Sequence, residues 1–133
     1  MNNELKFVFR FCSASMSSLM GNSLTERILY ETGDGKYELY SYMGPAVDAK
    51  EYVRYKADDE LVKKLEAYIQ EENLPSYEGQ QAAGPMGGMI VVEFMHEGRR
   101  IIVNSNNTGA MHVDALYKAD SLLREYLTSD NQI

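Results

Sequence analysis

Between Leu5 and Cys12 the chain alternates, with Leu5, Phe7, Phe9 and Phe11 on one side and Lys6, Val8, Arg10 and Cys12 on the other. A period of two predicts a half-buried strand whose Leu/Phe set faces the core. Ser13 to Ser23, rich in Ser and Gly, reads as a long loop. The strand pattern resumes from Thr25 to Glu31. Thr32-Gly33-Asp34-Gly35 is a tight-turn signal, because glycine accepts the positive φ that such turns need. Lys36 to Tyr42 is the second arm of that hairpin, Gly44-Pro45 ends it, and Glu51 to Lys56 predicts a fourth strand.

The period then changes. Asp58 can cap a helix, and Asp59 and Glu60 place negative charge at its positive end. Leu61, Leu65, Tyr68 and Ile69 make one apolar stripe, and Asn73 and Pro75 stop the helix. Ser76 to Gly88 reads as a second loop. Met89 to Met95 is a strand with Ile90, Val92 and Phe94 toward the core, Glu97-Gly98 turns the chain, and Arg99 to Asn104 completes another hairpin. Asn104 to Gly109 is a polar turn, and a last helix runs from about His112 to Leu127, with Val113, Leu116, Leu123 and Leu127 on one face.

The order ββββαββα predicts an α+β fold: a mainly antiparallel sheet of about six strands with two helices packed on one face. Residues 1–133 form a single domain in this reading. The pattern leaves the strand neighbours open, including a parallel pair made by the crossover from the fourth strand to the fifth.

Composition narrows the setting. At 133 residues, with 44% apolar and 25% charged residues, the chain can bury one core and is not a disordered tract. No stretch approaches the roughly 20 apolar residues of a spanning helix. Glu4, Lys6 and Arg10 interrupt the apolar run that a signal peptide requires, and a lone Cys12 forms no internal disulfide. These features predict a cytoplasmic protein that does not engage membranes.

The net charge of −7 is unevenly placed. The chain through Ala57 is neutral, whereas Asp58 to Glu78 carries seven acidic residues against Lys63 and Lys64. Such a field repels nucleic-acid phosphates and tolerates a basic protein partner, although it also reads as an ordinary solvated helix face.

Catalytic and metal chemistry finds little to stand on. His96 and His112 are far apart in sequence, no second cysteine exists, and no H-E-x-x-H occurs, so no metal or other cofactor is expected. Cys12 ends a phenylalanine-rich strand with only Arg10 as a nearby cation, and no G-x-S-x-G elbow is present. Gly84-Pro85-Met86-Gly87-Gly88 precedes a strand rather than a helix and lacks a Lys-Ser/Thr pair, unlike a phosphate loop.

Two features remain. Charge is absent from Phe11 to Thr25 and from Gly79 to Val92, and these segments hold Met16, Met20, Met86 and Met89. Methionines there suit either an adaptable contact surface or gap-filling at the core edge. The second feature is the sheet face opposite the helices, where alternation places Lys6, Val8, Arg10, Tyr40, Tyr42, Tyr52 and Arg54. Tyr and Arg are enriched at interface hot spots, and tyrosine also favours strands by propensity.

Leu61-Val62-Lys63-Lys64-Leu65-Glu66, Asn73-Leu74-Pro75-Ser76-Tyr77 and Gly88-Met89-Ile90-Val91-Val92-Glu93-Phe94, followed by an amphipathic helix, resemble small uncharacterised α+β proteins of Gram-positive anaerobic bacteria. Tyr77 stands where those proteins often carry tryptophan. The resemblance spans roughly residues 50–127 and implies the fold and a bacterial origin, with no activity attached.

The sequence thus points to a non-catalytic cytoplasmic module that binds a protein partner, or a second copy of itself as a homodimer, and not nucleic acid. Its expected contact residues are Tyr40, Tyr42, Tyr52, Arg54, Arg10, Met16, Met20 and Met86. The alternative is an acidic inhibitor or immunity protein whose Asp58–Glu78 helix covers the basic site of a nuclease or toxin. An enzyme would instead need a concave pocket with a strongly perturbed titratable group.

Overall fold

The computed structural model describes residues 5–17, 21–45, 50–78, 88–104 and 113–133, excepting the side chains of 15–17, 21–22, 88 and 113. Among the described residues the elements are β1 (Lys6–Ser17), β2 (Gly21–Gly33), β3 (Lys36–Pro45), β4 (Val53–Ala57), α1 (Asp59–Glu71), a short 3-10 helix (Leu74–Tyr77), β5 (Gly88–His96), β6 (Arg99–Asn104) and α2 (Val113–Arg124). The six strands form one antiparallel sheet in the order β4-β3-β2-β1-β5-β6. The fold is α+β, as the hydrophobic periodicity predicts, and β5 returns beside β1 in antiparallel sense, so every strand pair among the described residues is antiparallel.

One expectation fails at Ser13–Ser23. Instead of a long loop, β1 and β2 continue as paired strands out to Ser17 and Gly21. Serine-rich composition suggests a loop, but backbone pairing with neighbours on both sides of β1 overrides that weak local preference. Residues 79–87, most of the second predicted loop, and 105–112, most of the predicted polar turn and the start of the last helix, lie outside the described residues.

The second correction concerns which way β1 faces. A bulge between Phe7 and Phe9 shifts the register with β2: Phe7 lies opposite Tyr30, while Phe9 lies opposite Leu29. An extra residue in one strand moves everything before it to the other face. Phe9 and Phe11 are buried as expected, but Phe7 turns away from the core and Val8 packs against it. Leu5 is exposed. By the same alternation Lys6, opposite Glu31, leaves the face assigned to it and joins the helix side.

The core lies between the sheet and the two helices. Phe9, Phe11, Leu29, Leu39, Val92 and Phe94 from the strands meet Leu61, Leu65, Tyr68, Leu116, Ala119 and Leu123 from the helices. Asp58 caps α1 by accepting from the Leu61 amide, and Asn73, at φ 52°, breaks the helical path before Pro75. Tyr68 donates to the Ala115 carbonyl at 2.7 Å, which ties α1 to α2. Arg27 is a charged exception on this side: it is buried, donates to Asp120 at 2.5 Å and to Ser41 at 2.6 Å, and so pins α2 to β2 and β3.

Edge β4 is covered by the end of the chain, where Lys56 donates its amide to the Asn131 carbonyl at 2.7 Å and the Ile133 amide donates to the Arg54 carbonyl at 2.9 Å. No described helix is long and apolar enough to cross a membrane.

Candidate functional site

The face of the sheet turned away from α1 and α2 is built by alternate residues of every strand. β1 contributes Arg10 and Cys12, and β2 contributes Glu26, Ile28 and Tyr30. Glu38, Tyr40 and Tyr42 come from β3, each beside its register partner: Glu38 opposite Lys56, Tyr40 opposite Arg54. Glu93 of β5 and Arg100 and Ile102 of β6 complete it.

Arg10 is its centre. It reaches Glu26 at 2.6 Å and Glu93 at 2.7 Å, bridging two carboxylates from strands on either side of β1. Tyr52 also donates to Glu26, Lys50 stands 3.9 Å from it, and Arg100 lies 3.5 Å from Glu93. The Arg100 guanidinium covers the Phe7 ring at 3.8 Å, which the β1 bulge has brought to this face. On the β2–β3–β4 side of the ionic centre the tyrosines pack on one another: Tyr30 against Tyr40 at 5.3 Å and 84°, Tyr40 against Tyr52 at 6.2 Å and 64°, Tyr42 against Tyr52 at 6.0 Å and 56°.

Burial alone would push the Glu26 carboxyl up; hydrogen bonds from Tyr52 and Arg10 outweigh it and hold Glu26 below the ordinary glutamate range. Burial also works against the Arg10 charge, but its bonds to Glu26 and Glu93 more than restore it. Tyr52 is pushed well above the ordinary tyrosine value by burial and by its bond to the Glu26 carboxylate, and it remains a neutral donor. Burial raises the Cys12 thiol, so it stays protonated and a poor nucleophile at neutral pH.

Of the eight expected contact residues, the structure gathers five on this face: Arg10, Tyr40, Tyr42, Tyr52 and Arg54. Arg10 is partly buried but more exposed than its two partners, and Arg54 pairs with Glu38 at 3.2 Å. Met16 sits in β1 with its side chain outside the described residues, and Met20 and Met86 lie outside them altogether. The expectation omitted Glu26, Tyr30, Glu93, Arg100 and Phe7. Alternation along Thr25–Glu31 already put Glu26 and Tyr30 on one face, but nothing local told that β5 would bring Glu93 to Arg10.

An open groove of about 570 Å³ runs at one end of this face, lined by Leu5, Thr32, Lys36, Glu38, Tyr40 and Arg54. A larger one of about 670 Å³ lies between α1 and the β5–β6 turn, where Lys63, Glu66 and Gln70 face Met95, His96 and Glu97. No group of three or more His, Cys, Asp or Glu side chains converges for a metal ion among the described residues. On the helix layer Glu72 pairs with Lys118 at 2.8 Å and Lys64 lies 3.7 Å from Glu125, while Glu66 and Glu71 stay exposed.

No protein-family model matches the chain, and a comparison with curated proteins finds no match either.

Proposed function

We propose that the chain is a non-catalytic protein-binding module that docks its partner on the open sheet face. One observation carries the reading: four tyrosines joined in a chain of ring contacts lie beside a tethered Arg10, on a face that no described helix covers. Tyrosine and arginine give large contact area with few rotatable bonds, which is why they dominate interface energetics. Their rotamers are already fixed by ring contacts and ion pairs, so little ordering entropy remains to be lost on docking. The tyrosines with the largest upward shifts, Tyr52, Tyr68 and Tyr126, are neutral phenols at pH 7 and act as hydrogen-bond donors rather than bases. A cytoplasmic setting belongs to the same proposal and is supported by the free, buried thiol of Cys12.

Site-specific photo-crosslinking in the source cell tests it. A benzophenone amino acid replacing Tyr40 should give a discrete higher-mass adduct, and the same group replacing Glu66 on α1 should not. Adducts from position 66 and none from position 40 would move the working surface to the acidic helix and overturn the proposal.

A further inference from the structure

We infer that the partner segment received by the open face is acidic. The inference rests on the docking role proposed above and adds the chemistry of what docks. In each ion pair of this face the cation lies uppermost. Arg10 is 25% exposed over Glu26 at 7% and Glu93 at 10%. Lys50 is 24% exposed over the same Glu26, Arg54 46% over Glu38 at 24%, and Arg100 49% over Glu93. Four cations share three carboxylates, and exposed Lys56 stands opposite Glu38. Exposed Glu51 and the Asp34-Gly35 turn border the patch. A protein of net charge −7 thus presents guanidinium and ammonium groups on one side, with the three carboxylates paired to them less exposed than they are.

The acidic helix layer does not cancel this. Packed layers stand on the order of 10 Å apart, and exposed charges are screened over about 8 Å at physiological salt. An approaching carboxylate therefore meets Arg54, Arg100 and Lys50 before it meets α1. The half-exposed guanidinium forks suit carboxylates bidentately. Arg54 also lines the 570 Å³ groove beside Tyr40. Nucleic acid fits less well: the tyrosines pack edge to face or tilted on each other instead of standing as separate stacking platforms.

Selection of a random 12-residue peptide display library against the full chain tests this, with affinities of the enriched peptides measured by fluorescence anisotropy. Enriched sequences should carry an excess of Asp and Glu and bind more weakly as salt rises. The double variant Arg54→Gln/Arg100→Gln, which removes both charges but keeps polar side chains, should bind them about tenfold more weakly, while Glu66→Gln on α1 should leave affinity unchanged. Circular dichroism melts of each variant confirm folding. Neutral or basic winners, no enrichment, acidic winners indifferent to the double variant, or tighter binding of a labelled oligo-dT would each overturn the inference. So would self-association in ultracentrifugation that the double variant abolishes, since the face would then receive a second copy. Crosslinks from position 40 to a neutral partner segment would leave the docking role standing and remove only its acidic preference.

Discussion

Replacing Arg10 by methionine withdraws the shared counter-ion of two buried carboxylates while keeping most of the stem volume. Breaking a buried ion cluster from one side costs roughly 3–5 kcal/mol. Here the cost is smaller, because a quarter of the Arg10 side chain already meets solvent, Glu26 keeps Tyr52 and Lys50, and Glu93 keeps Arg100. About 2 kcal/mol at neutral pH is expected. Unfolding entropy of about 2.1 cal/mol/K per residue then gives a fall in melting temperature of roughly 7 °C for a chain of this length.

The pH dependence follows from Glu26. Its folded pKa is depressed, so its stabilisation is complete above the ordinary glutamate range and is lost as pH falls through the lower folded value. The gap between wild type and Arg10→Met should therefore be widest near neutral pH and narrow as the solution is acidified below the ordinary glutamate range. Adding Glu26→Gln and Glu93→Gln to the variant should recover most of the loss, since no unpaired charge remains buried. Thermal melts by circular dichroism across that range measure all of this. A loss under about 2 °C at neutral pH, or a gap of equal size in acid, would show that Arg10 is not the keystone described.

Two smaller effects accompany it. Glu97 holds φ 51° beside Gly98 at 76° in the two-residue β5–β6 turn, a conformation that asparagine tolerates better, so Glu97→Asn should stabilise the fold by about 0.5–1 kcal/mol in urea titration. Asp58 both caps α1 and accepts from Tyr126 at 2.6 Å, and Asp58→Ala should cost about 1–2 kcal/mol in the same assay, with no change if the cap were dispensable.

The periodicities alone determined much of this protein. Alternation at Thr25–Glu31 and Lys36–Tyr42, the stripe Leu61, Leu65, Tyr68 and Ile69, the Asp58 cap and the Glu97-Gly98 turn are local patterns, and each element stands where its pattern puts it. The placing of Arg10, Tyr40, Tyr42, Tyr52 and Arg54 on one sheet face followed for the same reason, since strand alternation assigns a face before any neighbour is known.

Pairing decided the rest. Whether Ser13–Ser17 is a loop or a strand depends on β2 and β5 lying alongside it, and β5 is distant in sequence. The bulge that sends Phe7 to the open face is a property of two strands in register, invisible in one strand's alternation. Arg10 and Glu93 are 83 residues apart, and only the return of β5 beside β1 joins them. Side-chain periods are written in neighbouring residues, whereas ion pairs across a sheet are written in its strand order. That is why Tyr40, Tyr42 and Tyr52 were legible in the chain and the carboxylate partners of Arg10 were not.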